Sequence, residues 1–377
     1  MALLVHNLNE SLAENDDIII SINRWINFAC DNQYHIILSS CCADLVKLDK
    51  SYKKVVETKD IFCDDNLKLF EQNKIKHFIV TGLHLDKDII NICQKLSELG
   101  YEILVPRNSC IATTQDLFDE YMENIFRTCK QLRVIKNFLP LSLRENAKER
   151  ICDEVNFKKM FHEGGEVSRK VETQGISKFI DGKEYKPLYR FPTDEEFIVN
   201  DLTPFHKKIW EYINNLFGPD INHSKLQYYE NGYSHIGRHS DKTLDIKKHS
   251  YILNLSLGNV RNFVFTEKST RKKTDYMLED NTLFILNTYE NKMYTHEVPK
   301  YNELYGDRIS IVYRSIATYK CCDEDKLIGQ GAGECSDVNK LKECFVLENN
   351  QGENFVWDEN YGKGFSVVNT GNKHKKS

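Results

Sequence analysis

The spacing of apolar residues changes character along this chain. Near the start, short continuous apolar runs at residues 2–5, 35–38, 76–81 and 102–105 predict strands buried on both faces. Between them, Ile18, Ile22, Trp25, Ile26 and Ala29 recur at helical spacing within 17–29. Residues 86–99 repeat that pattern and stop at Gly100, and another helical stretch runs from about 115 towards 134. Strands alternating with helices predict parallel β-α-β units, hence an α/β domain with a doubly wound parallel sheet over residues 1–133.

The pattern then changes. Residues 140–153 read as helical. Short pieces rich in Tyr, Phe, Ile and Val follow at 226–229, 251–256, 262–265, 282–286 and 309–313, with Gly and Asn at the breaks. Many short strands separated by turn residues predict an antiparallel sandwich or barrel. Residues 321–370 keep Phe345, Phe355, Trp357, Tyr361 and Phe365, so a second domain is expected over 134–370, with 371–377 as a free tail.

Composition narrows the class. Of 377 residues, 41% are hydrophobic and 28% charged, which fits an ordered globular chain rather than a disordered one. The apolar runs are too short to span a membrane. The first residues lack a basic region and a cleavage pattern, so an intracellular protein, cytoplasmic or nuclear, is expected. The 12 cysteines then read as reduced thiols. Cys321, Cys322, Cys335 and Cys344 lack the Cys-x-x-Cys spacing of a zinc site. A net charge of −5 excludes a basic coat over the whole surface. It does not exclude a local strip: residues 225–273 hold ten Lys and Arg against four Asp and Glu, an excess that could track a phosphate backbone.

The segment from Gln227 to Asp241 carries the chemistry. Residues two apart in a strand project from one face, so His239 and Asp241 can hold one metal ion together. His296, just past another predicted strand, supplies the third ligand. Two histidines and a carboxylate leave coordination positions open, which suits non-haem Fe(II) that binds a co-substrate and oxygen. Arg308 and Arg314 lie six apart, and that even spacing puts Arg308, Ser310, Val312 and Arg314 on one face, with Ile309, Ile311 and Tyr313 on the other. Guanidinium groups pointing into a barrel need anions, and a dicarboxylate supplies two.

The order Gln227-x-Tyr229-x-x-Gly232, His239-x-Asp241, His296, Arg308-x-Ser310-x-x-x-Arg314 resembles the AlkB-like Fe(II)/2-oxoglutarate dioxygenases over about residues 150–320. His239 to Ile246, Phe161 to Gly165, Gln330 to Ala332 and Phe355 to Phe365 are similar to segments of a fungal and protist branch of that superfamily. The resemblance implies an α+β domain with a double-stranded β-helix (jelly-roll) core, and Fe(II), 2-oxoglutarate and O2 as cofactor and co-substrates. It implies that His239, Asp241 and His296 ligate iron and that Arg308 anchors the distal carboxylate of 2-oxoglutarate, assisted by Tyr229. Ser310 lies on the same co-substrate face, and Gln227 and Arg314 lie near the chelating end. The family usually has Asn where Gln227 and Ser310 stand; both replacements remain polar. The implied reaction turns 2-oxoglutarate into succinate and hydroxylates a substrate carbon, and an N-methyl hydroxylated in this way leaves as formaldehyde. Bacterial repair members place an acidic residue two positions after the metal Asp; here it is Thr243. Arg169 and Arg190 are further expected at the substrate mouth.

Residues 1–130, with the first strand, Val80-Thr-Gly-Leu83 and Gly100 to Val105, resemble the isochorismatase-like hydrolases. Active members use an Asp, a Lys and a Cys. Here Asn7 stands for the Asp, Lys59 matches the Lys, and Asp88 replaces the Cys. Asn cannot act as a base, and a carboxylate is a poor substitute for a thiolate nucleophile. This domain is therefore expected to be inactive, and to serve protein–protein contact or homodimerisation. The expected activity is an oxygenase acting on an alkylated nucleic-acid base. The alternatives are the same chemistry on a small molecule or protein side chain, a non-catalytic scaffold of two binding modules, or hydrolysis of an isochorismate-like ether by Lys59 and Asp88.

Overall fold

The computed structural model describes residues 1–6, 16–39, 47–48, 52–82, 85–162, 165–193, 197–301, 305–368 and 370. The chain divides into two compact units: Met1–Arg133 with Trp210–Pro219, and Val134–Ile209 with the chain from Asp220 onward. The stretch Trp210–Pro219 groups with the first unit although the sequence pattern left it with the second. The tail 371–377 lies outside the described residues.

In the first unit, five strands form one sheet in the order Val55–Thr58, His35–Ser39, Ala2–His6, His77–Gly82, Glu102–Leu104. All neighbours pair in parallel. Ala2 to Val5 are fully buried, as a strand covered on both faces must be. The edge strand Val55–Thr58 and the helix Asp64–Gln72 escaped the sequence pattern. The strand is four residues long and only half-buried, so it carries no continuous apolar run. The helix expected over 86–99 opens with a π-turn, Leu85–Ile89, before the α-helix Ile90–Glu98. Gly82 sits beside the first strand with φ +147°, and a Cβ there would lie 2.0 Å from the His6 carbonyl oxygen.

Among the described residues, the second unit holds three antiparallel sheets: two form its core, and a third, four-stranded one runs Leu327–Gly329, Thr318–Cys321, Lys183–Pro187, Lys178–Ile180. The larger core sheet runs Val134–Lys136, Thr282–Asn287, Tyr251–Gly258, Arg308–Arg314, His223–Tyr229, Gly165–Gly175, Lys158–His162; the smaller core sheet runs Ile236–His239, Tyr294–Val298, Arg261–Glu267, Lys273–Leu278. Tyr229, Ile252, Phe284, Leu286 and Val312 of the first meet Phe263, Phe265, Leu278 and Val298 of the second in a single core, the packing of a jelly roll. Asn146, in the left-handed conformation at φ 51°, splits the predicted helix 140–153 into Leu141–Arg144 and Ala147–Glu154. The C-terminal segment adds the helix Val338–Gln351, whose N-cap Asp337 accepts from the amides of Asn339 and Lys340. Its Leu341, Phe345, Phe355, Tyr361 and Phe365 pack around Leu244, the residue three positions after Asp241. No helix among the described residues is long and apolar enough to cross a membrane.

Candidate metal and co-substrate site

Strand register assembles the site. His239 ends the strand Ile236–His239 and lies directly opposite His296 on the antiparallel strand Tyr294–Val298. Their ring centroids are 4.4 Å apart, and His296 stacks on Phe263. Asp241 follows two residues after His239. One donor atom from each of His239, Asp241 and His296 lies within 4.8 Å of the others, and this is the group of metal-capable side chains found among the described residues.

Two of the three side chains are oriented by a hydrogen bond, whereas His296 Nδ1 is buried without a partner and its ring rests on Phe263. His239 Nδ1 faces the Gly237 carbonyl at 2.8 Å, which turns Nε2 towards the other two side chains; that atom lies 4.0 Å from Asp241 Oδ1. Asp241 Oδ2 accepts from Arg314 Nε at 3.1 Å and Nη2 at 2.9 Å, which leaves Oδ1 for an ion. Burial opposes ionisation of Asp241, but Arg314 and the two imidazoles outweigh it and hold the carboxyl well below the ordinary range. Desolvation, helped by His296, pushes His239 down to about 3. Desolvation likewise brings His296 to about 4. Both imidazoles are thus neutral at pH 7, the state in which a ring nitrogen can ligate a metal.

The arginine face comes out as the even spacing requires. Ser310, Val312 and Arg314 line a small cavity with Gln227, Tyr229 and the three metal-capable residues, while Ile309, Ile311 and Tyr313 are buried with no exposure. Arg308 is fully buried opposite Tyr229 in the register. Its Nε donates to Ser256 Oγ at 2.8 Å, while Nη1 and Nη2 have no hydrogen-bond partner in the protein. Desolvation pulls this guanidinium down to about 10, so it remains a cation at neutral pH. A buried fork with two orphaned donors is the cradle that a carboxylate completes. Tyr229, whose ring faces this guanidinium, also lines the cavity that holds the nitrogen, nitrogen and oxygen donor set, so the residues fit Fe(II) and 2-oxoglutarate.

Three further residues belong here. Asn254 lines the cavity and accepts from Ser310 Oγ at 2.7 Å; Ser256 holds Arg308. Two polar residues two apart in the apolar run Tyr251–Gly258 were a legible signal. Asn291, which bonds both the amide and the carbonyl of Asp241 at 2.9 Å, left none.

A larger cavity of about 520 Å³ opens beside the metal-capable group, lined by Arg169, Gln227, Arg238, His239, Asp241 and Lys242 among others. Arg169 is in place there: Nε donates to Gln227 Oε1 at 2.7 Å and Nη1 to the His235 carbonyl. Arg190 does not line that cavity. It is buried in a forked ion pair with Asp245 and donates to the carbonyls of Gly331, Phe365 and Val367, so all its donors are used by the fold. Thr243 is likewise turned from the cavity, its hydroxyl and amide both held by the Glu348 carboxylate. The basic strip is divided: Arg238, Arg271, Lys272 and Lys273 stay exposed, while other members are held by the fold. Arg261 donates to three backbone carbonyls, Lys268 to the Glu348 carbonyl, and Lys247 and Lys248 pair with Asp220 and Asp358. Cations as buried as Arg261 and Lys268 need such internal partners and are not free to follow a phosphate backbone.

In the first unit, Lys59 is exposed just past the strand Val55–Thr58, and Asp88 is half-buried in the π-turn. Asp88 is close enough to His6 to oppose the lowering of its pKa by burial. Asn7 lies outside the described residues.

Residues 131–314 match the family model of the 2OG-Fe(II) oxygenase superfamily. Over 125 residues the chain is 26% identical to the DNA oxidative demethylase ALKBH2 of Homo sapiens, an alignment covering 31% of this chain and 48% of that protein. The chain thus spans about half the length of the curated relatives it matches. The solved structure of OsALKBH1 aligns with a TM-score of 0.34 at 14% identity, covering 48% of this chain and 96% of that one. An isochorismatase-like hydrolase from Alkaliphilus metalliredigens aligns with a TM-score of 0.30 at 12% identity, covering 35% and 92%.

Proposed function

Because residues 131–314 form an AlkB-like 2OG-Fe(II) oxygenase domain, we propose that this protein is an Fe(II)- and 2-oxoglutarate-dependent dioxygenase that acts on an alkylated nucleic-acid base. The observation that carries the reading is the convergence of His239, Asp241 and His296 beside a buried Arg308 whose two terminal nitrogens await an anion. When bound, iron with 2-oxoglutarate and O2 supplies the oxidising power, yielding succinate, CO2 and a hydroxylated carbon.

The chain's own side chains do the rest. His239, Asp241 and His296 hold the ion, and Arg314 keeps Asp241 ionised and aimed. Arg308 takes the distal carboxylate of 2-oxoglutarate in its fork, with the Tyr229 ring face 5.2 Å from the guanidinium carbon. Gln227, Ser310 and Asn254 complete the polar wall. The wider cavity receives the substrate, and the aliphatic and aromatic lining of the inner one (Ile252, Phe263, Leu286, Val298) excludes water from the reacting centre. The nucleic-acid reading is supported by the DNA demethylase activity named for the relatives and by Arg169, Arg238 and Lys242 on the cavity wall. An intracellular place, cytoplasmic or nuclear, goes with that substrate. The first unit is read as a docking or dimerising module, since Asp88 replaces the thiol and Lys59 faces solvent.

The test is succinate release with Fe(II) and 2-oxoglutarate. Methylated oligonucleotides should stimulate it, and unmethylated ones should not; His239→Ala should remove both turnover and iron binding. Stimulation by small metabolites alone would move the substrate out of the nucleic acids. Unchanged turnover in His239→Ala would end the oxygenase reading.

A further inference from the structure

Four consecutive backbone amides run through the ligand-bearing segment, and each donates to a side chain rather than to a strand ladder. Ser240 N donates to Asn349 Oδ1 at 3.0 Å, Asp241 N to Asn291 Oδ1 at 2.9 Å, Lys242 N to the Tyr189 hydroxyl at 3.2 Å, and Thr243 N to Glu348 Oε1 at 2.9 Å. The regular strand ends at His239, so no β pairing fixes the direction in which Asp241 leaves it. Two of the four acceptors, Glu348 and Asn349, lie on the helix Val338–Gln351, beyond the residues that match the oxygenase model.

We infer that Asn349 and Glu348 are positioning residues for the metal site, and that the C-terminal helix is a working part of the active centre. The inference rests on the reading of His239, Asp241 and His296 as metal ligands. Asn349 Oδ1 accepts both from Ser240 N, between two of those ligands, and from Lys242 Nζ on the cavity wall. Glu348 is buried; beyond Thr243 it takes the Tyr361 hydroxyl at 2.9 Å, and its own carbonyl accepts from Lys268 Nζ at 2.7 Å. The clamp continues downstream, where Trp357 Nε1 donates to the Thr243 carbonyl at 3.1 Å and Gln330 Nε2 to those of Leu244 and Ile246. Outer partners of this kind hold ligands at the geometry an ion demands, and losing one lowers metal affinity without removing a ligand.

The experiment is Mn(II) binding to the full chain, followed by the paramagnetic signal of the free ion, with thermal unfolding recorded in parallel. Asn349→Leu removes the shared acceptor at similar size and should raise the Mn(II) dissociation constant about tenfold. Asn349→Asp retains the oxygen and adds a charge that favours a dication, so it should bind at least as tightly as the parent. Asn349→Ser is too short to reach either donor but admits water, and it should weaken binding in the same direction should the leucine variant not fold. A folded Asn349→Leu or Asn349→Ser protein that binds Mn(II) like the parent overturns the clamp alone. A parent chain that binds no Mn(II), or a His239→Ala variant that binds it undiminished, sinks the metal site itself.

Discussion

Replacing Arg308 by Met separates a residue kept for a ligand from one kept for the fold. Arg308 is fully buried, makes one hydrogen bond through Nε to Ser256, and leaves both terminal nitrogens without a protein acceptor. Removing it costs the apo protein that bond, about 1 kcal/mol, and the contact with the Tyr229 ring, about 0.5–2 kcal/mol, but relieves the desolvation of a cation without a counter-ion, typically several kcal/mol. Arg308→Met should therefore be as stable as the parent without ligand, or up to about 2 kcal/mol more so. Binding moves the other way. Two charge-assisted hydrogen bonds at about 1.5–3 kcal/mol each predict a loss of 2-oxoglutarate affinity of at least about 100-fold. In thermal unfolding with Mn(II) and 2-oxoglutarate at about 100 times the parent's dissociation constant, the parent gains about 2.7 kcal/mol and the variant about 0.4 kcal/mol. For a domain of this size that is a rise of about 5–10 °C against about 1 °C. A variant that binds 2-oxoglutarate within threefold of the parent, or that unfolds about 3 kcal/mol more easily without ligand, would refute the assignment.

Two other variants probe the surrounding fold. Arg190→Met should destabilise by about 3–5 kcal/mol in chemical denaturation, because it strands the fully buried Asp245 carboxylate; a loss under about 1 kcal/mol would mean that the ion pair is not what seats the C-terminal segment. His206 is buried between Gln174 Oε1 at 2.7 Å and the Tyr313 hydroxyl at 3.1 Å, and desolvation pushes it down to about 3. The unfolded chain takes up a proton near pH 6.5 that the folded one refuses, so this histidine costs stability as pH falls below 6.5, about 2 kcal/mol by pH 5. Comparing denaturation midpoints of the parent and His206→Gln between pH 8 and pH 5 isolates that amount, and parallel pH profiles would show that His206 is protonated in the folded state.

Much of this molecule can be read directly from residue order. Apolar runs such as Ala2 to Val5 specify buried parallel strands because a strand covered on both faces has no polar side to show. The period of two in Arg308-Ile-Ser-Ile-Val-Tyr-Arg314 separates a polar face from a packed one along that strand. These are local rules, set by the backbone's own repeat. Asp241, by contrast, lies past the end of its strand and is placed by side-chain contacts. The sequence is silent wherever a residue's meaning depends on what lies opposite. Arg190 and Arg169 look alike along the chain, yet only burial against Asp245 makes the first a brace, and only an acceptor on Gln227 places the second on the cavity wall. The ten cations between Lys225 and Lys273 read as one strip until folding sends Arg261 and Lys268 inward to backbone carbonyls. Asn291 and Asn349 reach the ligand segment from 50 and 109 residues away, a convergence that no spacing encodes because it arises from packing between distant elements.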